Sequence, residues 1–133
     1  MVDVWQPANA DSGQPDLTLL QTLAGLSDAI ENNTDISDIV SDDELTLARS
    51  WIQLSEENWQ TTIEALNTEN RLGLAFFYTL AEMKLSGWEA RDKNPAIWIF
   101  RYLKKNKQLP EKEIIKLLKS KTDNRFIPYG SVL

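Results

Sequence analysis

The chain of 133 residues contains no cysteine and no histidine. Without cysteine it has no disulfide bond, no thiolate nucleophile and no cysteine-ligated metal site. Without histidine it lacks the side chain that serves most often as a general base and as a metal ligand. Only five glycines are present, and there is neither a glycine-rich phosphate-binding loop nor a Gly-x-Ser-x-Gly motif. These absences predict a protein that is not an enzyme and needs no cofactor.

No apolar run in the sequence is long enough to cross a membrane. The most apolar stretch, residues 72–85, is too short and contains Glu82 and Lys84 near its end, so we interpret it as part of a buried helix. The first residues lack the basic start and apolar stretch of a signal peptide, and we therefore expect no export. The sequence has no cysteines that would indicate an oxidising compartment. The expected location is therefore the cytoplasm.

The formal net charge of −6 conceals a strong asymmetry. Residues 1–70 carry 14 acidic side chains and 1 basic side chain, whereas residues 71–133 carry 6 acidic and 13 basic ones. Such a distribution either provides two binding surfaces of opposite sign or lets one half of the domain attract the other. A homodimer that joins the acidic half of one copy to the basic half of another has the same composition.

Apolar residues recur at helical spacing along the chain, and no segment alternates as a strand does. Residues 71–85 are apolar in almost every direction around a helix, which indicates a buried central helix. We predict an all-α fold, a compact single-domain bundle of five or six short helices around this segment. The predicted parts are an irregular N-terminal tail (1–15), a helical domain (16–121) and a C-terminal segment packed on the domain (122–133).

Local capping signals predict where the helices begin. Asp16 is a plausible N-cap for a first helix whose apolar spacing continues to Ile30. Ser41 has a glutamate three residues later, as in a capping box. Asn94 is followed by a proline suited to the first helical position, and Pro110 is expected to start the last helix. The expected inward face of that last helix consists of Ile114, Ile115, Leu117 and Leu118.

Residues 94–125 form two predicted helices around a tight turn and carry many basic side chains. A helix-turn-helix DNA-binding motif needs this arrangement, with Lys and Arg neutralising phosphates. However, Glu111 and Glu113 occupy the start of the second helix, where they would face the negatively charged groove of DNA. The lysines also fall at helix ends and on a solvent-facing stripe, where they are expected without any ligand. Nucleic-acid or polyanion binding is therefore the alternative hypothesis.

Our leading hypothesis is a small adaptor or regulator that binds another protein. Trp5 lies in the weakly structured N-terminal segment and either docks on the domain or anchors a partner. The C-terminal segment is more aromatic and apolar than a flexible tail. The candidate partner-binding residues are Trp5, Arg101, Lys104, Lys105, Lys112, Lys116, Lys119, Arg125, Phe126 and Tyr129.

The acidic residues raise two further hypotheses, a calcium site and an active site. A calcium-binding loop opening at Asp35 requires glycine at its sixth residue and glutamate at its twelfth, where this chain has Val40 and Thr46. We therefore predict no metal site. A second alternative is an enzyme whose catalytic carboxylates are brought together only by the fold, which requires a deep pocket around a perturbed acid.

Overall fold

The computed structural model describes residues 15–32 and 34–130. All the regular secondary structure of these residues is helical, with no strand among them. The predicted all-α, single-domain fold is therefore confirmed. Trp5 and nearly all of the predicted N-terminal tail lie outside the described residues, as do the last three residues of the chain.

The acidic half of the chain forms short helices, and the predicted caps Asp16 and Ser41 each begin one of them. The Asp16 side chain accepts hydrogen bonds from the backbone N–H groups of the next helix, and Ser41 and Glu44 form a complete capping box. The helices are α1 (Leu17–Ala24), α2 (Ser27–Glu31), α3 (Ile36–Ile39), α4 (Asp42–Ser50) and α5 (Glu56–Ala65), with a 3₁₀ turn at Trp51–Gln53.

The predicted single helix from Asp16 to Ile30 is wrong. The helix ends at Gly25, whose N–H group bonds back to the carbonyl of Thr22 in a tightened last turn. The connector that follows contains the short helix α3, which is capped by the side chain of Asp35. The described residues therefore form eight α-helices rather than five or six.

The second half contains the three remaining helices. These are α6 (Thr68–Lys84), α7 (Pro95–Lys105) and α8 (Lys112–Ser120), with a 3₁₀ turn at Arg91–Lys93. Asn94 caps α7 as predicted and is followed by Pro95 at the first helical position. Pro110 does not start α8, because the backbone of Glu111 is still extended at ψ 156° and Glu111 is the N-cap.

Helix α6 is the centre of the fold. It packs against α1, α2 and α7, while α7 also packs against α5. The residues from Leu74 to Glu82 are all buried. The prediction of a buried central helix is therefore confirmed.

Tyr78 on α6 lies within a cluster of aromatic side chains. Its ring is edge-on to Trp59, with centroids 5.8 Å apart, and to Phe77 at 5.4 Å, and it lies beside Trp88 at 6.1 Å. Its hydroxyl donates a hydrogen bond of 2.8 Å to the carbonyl of Ala48. Burial raises the pKa of this hydroxyl above its ordinary value. The hydrogen bond thus satisfies a buried, neutral polar group at the centre of the core.

A buried arginine on α6 holds the end of α5. Arg71 donates from Nε to the carbonyl of Ile63 at 2.8 Å and from Nη2 to that of Glu64 at 3.2 Å. It also donates to Oε1 of Gln108 at 2.9 Å and lies 4.7 Å from the ring centroid of Tyr102. Because a helix C-terminus carries partial negative charge, this position stabilises the cation.

Glu82 on α6 connects three separate segments through its buried carboxylate. Oε1 accepts hydrogen bonds from the side-chain amides of Asn94, at 2.8 Å, and Asn124, at 2.9 Å. Oε2 accepts from the backbone N–H groups of Ala90, at 2.9 Å, and Arg91, at 3.1 Å. The start of α7, the loop before it and the C-terminal segment are therefore all attached to one side chain.

We predict that Glu82→Gln lowers the free energy of unfolding by about 2 kcal/mol, because one acceptor oxygen is replaced by an amide donor that faces other donors. Chemical denaturation followed by circular dichroism measures this change. Glu89→Gln, on an exposed side chain of the same loop, is the matched control and should shift stability by less than about 0.5 kcal/mol. Equal stability of the two variants would contradict the role assigned to Glu82.

Gly73 allows α1 and α6 to approach closely. A Cβ atom at this position would overlap the backbone carbonyl of Ala24 at the end of α1. The obstacle is backbone, which cannot rotate away as a side chain does. The contact between the two helices therefore depends on the absence of a side chain at Gly73.

We predict that Gly73→Ala destabilises the fold by more than about 2 kcal/mol, since the overlap forces α1 away from α6. Gly25→Ala is the control: its Cβ would lie 3.6 Å from the nearest carbonyl oxygen, an ordinary contact, and its φ of −82° suits alanine. Thermal unfolding of both variants tests this, and a Gly73→Ala protein as stable as Gly25→Ala would exclude the proposed close approach.

Candidate functional site

Two of the predicted partner-binding cations make internal contacts. Arg101 donates from Nε to the carbonyl of Tyr129 at 2.9 Å and forms an ion pair with Glu56 at 3.1 Å. Its guanidinium also lies over the ring of Trp98, 5.3 Å from the centroid. The ammonium group of Lys104 lies 4.7 Å from the ring centroid of Tyr129. Arg101 and Lys104 thus hold the C-terminal segment against α7.

The C-terminal segment lies on the domain throughout its described length, residues 122–130. Ile127 is only 2% exposed and belongs to the core. Asn124 is buried and donates to Glu82 and to the carbonyl of Arg91. The rings of Phe126 and Tyr129 are half-buried against the core. Of the candidate residues in this segment, only Arg125 is exposed.

The remaining candidate lysines are exposed. Lys105 lies at the end of α7, and Lys112, Lys116 and Lys119 lie on α8. Within residues 15–32 and 34–130 none of these four lysines forms an ion pair. The structure therefore brings Arg101, Lys104 and Tyr129 together and leaves the α8 lysines free to contact other molecules.

The connection between α7 and α8 differs from a helix-turn-helix motif. Lys107 adopts the left-handed conformation, with φ 57°, and the N–H group of Gln108 donates to the carbonyl of Leu103 at 2.8 Å. This is a Schellman-type helix end with lysine where glycine is usual. Helices α7 and α8 do not pack extensively on each other, whereas a recognition helix is held by such packing.

A broad concave surface forms a groove between the α1–α2 junction, α6 and α8. Its volume is about 590 Å³, which is within the usual range of ligand sites. Its apolar lining includes Leu72, Phe76, Ile114 and Leu117. The charged residues that line it are Asp28 and Glu69, and both are acidic. We call this surface the α8 groove.

Helix α8 has apolar side chains in two directions. Leu118 is 0% exposed and packs in the core, and Ile115 is half-buried against the core. Ile114 is also half-buried and lines the α8 groove, whereas Leu117 is 43% exposed. The prediction that all four residues face inward is therefore wrong for Leu117. The core covers only one side of this nine-residue helix, so the side chains on its other sides stay exposed.

A smaller cavity lies between α5 and α7. It is lined by Glu56, Trp98, Arg101 and Lys105, among others, and has a volume of about 110 Å³. The indole N–H group of Trp98 is buried and has no hydrogen-bond partner among the described residues. The volume is below the usual range for a ligand site, so the α8 groove is the stronger candidate.

The acidic residues give little support to an active site. The two carboxylate oxygens of Glu82 accept four structural hydrogen bonds. In the part of the chain that the structure describes, no group of three or more acidic residues is arranged to hold a metal ion. The hypothesis of fold-assembled catalytic carboxylates remains a prediction without a specific observation in its favour.

No family model, curated protein or solved structure matches this chain. Among the described helices, none is both long enough and apolar enough to cross a membrane. The α8 groove, with its apolar lining and acidic rim, is the candidate binding site of the described residues.

The sequence did not identify the α8 groove. It assigned Leu72 and Phe76 to the central helix and Leu117 to the inward face of the last one. The available signal was the breadth of the apolar surface on α8, where four apolar residues in five positions cover more than one side of a short helix. The position of α1 and α2 beside that surface has no local sequence signal.

We predict that Leu117→Gln changes the free energy of unfolding by less than about 0.5 kcal/mol, because Leu117 is 43% exposed and lies at the edge of the groove rather than in the core. Leu118→Ala should cost about 3 kcal/mol, since it leaves a cavity in the core. Urea denaturation compares the two variants. Similar losses for both would show that Leu117 belongs to the core rather than to a free surface.

Proposed function

We propose that this chain is a non-enzymatic adaptor or regulator that binds another protein in the α8 groove. The observation that carries the proposal is Leu117, a leucine 43% exposed beside an apolar groove of about 590 Å³. Exposed apolar surface in a concave, polar-rimmed site is characteristic of interaction sites. The absence of cysteine supports action in the cytoplasm as part of the same proposal.

The charge of the groove specifies the chemistry of the partner. Asp28 and Glu69 are exposed, and none of the described residues that line the groove is basic. A partner segment therefore fits best when it carries apolar side chains for the floor and Lys or Arg beside them. An amphipathic helix laid in a hydrophobic groove is a common way for proteins to recognise such segments. The acidic rim adds specificity and speeds association more than it adds affinity.

Nucleic-acid or polyanion binding by residues 94–125 is the alternative. The exposed lysines of α8 favour it. The internal contacts of Arg101 and Lys104 oppose it, as do the exposed acids Glu111 and Glu113 at the start of α8. This alternative requires binding that weakens steeply with salt. Because the apolar groove has no part in such binding, we place the alternative second.

The proposal is tested by selecting peptides from a random display library against the immobilised chain. We expect the selected peptides to combine aliphatic or aromatic residues with Lys or Arg. Their affinity should fall at least about tenfold for Leu117→Gln, which corresponds to about 1.4 kcal/mol of lost apolar contact.

Leu47→Gln is the matched control for this experiment. Leu47 is a similarly exposed leucine, at 45%, on α4 and outside the groove, so this variant should bind the peptides as the wild type does. Peptides that bind the two variants equally well would show that the α8 groove is not the binding site.

A further inference from the structure

We propose that the thioether of Met83 is a site of reversible oxidation by a peroxide, and that its conversion to the sulfoxide loosens the start of the C-terminal segment. Met83 lies in the last turn of α6 and is not among the described residues that line the α8 groove. The site is therefore independent of the proposed function, and it adds a chemical control over how residues 122–130 are held on the domain.

Met83 is an exposed sulfur-containing side chain. The sequence has two methionines, Met1 and Met83, and no cysteine, so no thiol competes for an oxidant. Met83 is 44% exposed although its side chain is large and apolar. It also lines a concave surface of about 260 Å³, together with Arg91 and Asp123 among others. A molecule as small as a peroxide fits easily into a space of this size.

The sulfur atom of Met83 makes a specific contact with the C-terminal segment. The backbone N–H group of Asp123 donates a hydrogen bond to Sδ at 3.4 Å. The preceding residue on α6, Glu82, accepts a hydrogen bond from the side-chain amide of Asn124 at 2.9 Å. Two consecutive residues of α6 therefore hold two consecutive residues of the segment, one through a thioether and the other through a carboxylate.

Oxidation is a two-electron step at this sulfur. A lone pair of Sδ attacks one oxygen atom of hydrogen peroxide, the O–O bond breaks, and the sulfur–oxygen bond of the sulfoxide forms. The second oxygen atom leaves with both protons as water, so the sulfur is oxidised and the peroxide is reduced. The hydrogen bond from Asp123 engages one lone pair of the sulfur and leaves the other available for this reaction.

The sulfoxide cannot keep the contact with Asp123. A sulfur atom bonded to oxygen is electron-poor and accepts a hydrogen bond poorly. An oxygen atom on the line from Sδ to the Asp123 nitrogen would lie closer to that nitrogen than the shortest N–H···O hydrogen bond, which is about 2.7 Å. The polar sulfoxide therefore turns towards water on its flexible side chain, and the N–H group of Asp123 loses its acceptor.

The test treats the full chain with hydrogen peroxide and locates the added oxygen by peptide mass spectrometry, which distinguishes Met83 from Met1. Met83 should be oxidised at a rate comparable with that of free methionine in the same solution. Hydrogen exchange in peptides that cover residues 121–125 should then become at least about threefold faster, whereas exchange in residues 105–109 should not change. The two methionine sulfoxide reductases, one for each epimer, should restore the original exchange rate.

Met83→Leu separates this effect from general oxidative damage. The variant keeps an apolar side chain of similar size but has no sulfur to accept the N–H group of Asp123. Residues 121–125 should therefore exchange as fast as in the oxidised wild type before any peroxide is added, and peroxide should cause no further change. Circular dichroism verifies that the variant is folded.

Three results would overturn the assignment of this site. The first is a Met83 that stays unoxidised while free methionine is consumed. The second is an oxidised chain whose residues 121–125 exchange as slowly as before. The third is a peroxide-induced acceleration of exchange in Met83→Leu, which would place the sensitive group elsewhere in the chain.

Discussion

The architecture depends on the buried carboxylate of Glu82. A buried charge is costly unless hydrogen bonds replace its water, and here four N–H groups surround the two oxygens. Those donors come from the loop after α6, from the cap of α7 just beyond that loop and from the C-terminal segment, which lies about 30 residues further along the chain. One side chain therefore fixes the direction in which the chain leaves α6, the start of α7 and the position of residues 122–130.

Two other polar side chains on α6 also hold neighbouring helices by hydrogen bonds, each at a different position along α6. Arg71 holds the last turn of α5 through the carbonyls of Ile63 and Glu64, and Tyr78 holds α4 through the carbonyl of Ala48. These hydrogen bonds give the central helix specific neighbours as well as apolar ones. Helix α8 rests mainly on Leu118 and on its half-buried isoleucines, so an apolar side chain and a groove remain open beside it.

The opposite charges of the two halves of the chain pair with each other in one region of the molecule and stay apart in another. Arg101 forms an ion pair with Glu56, so part of the basic half does compensate the acidic half within one copy. The lysines of α8 and the acids at the rim of the α8 groove are exposed and without such partners among the described residues. The exposed Leu117 and the acids at the groove rim are the observations on which the proposed binding surface rests.

The sequence by itself determined the all-α class, the central helix and several helix starts, because apolar periodicity and N-caps such as Asp16, Ser41 and Asn94 act within one or two turns of the chain. It did not predict that the first helix ends at Gly25, or that α8 begins after Glu111 rather than at Pro110. At both places the backbone conformation differs from the one that the sequence pattern predicts. Only the tertiary structure decided that Arg101 contacts Glu56 and the C-terminal segment and that Leu117 stays exposed. The reason is physical: α1, α6 and α8 meet through contacts between residues distant in sequence, and no local pattern encodes which apolar side chains those contacts leave uncovered.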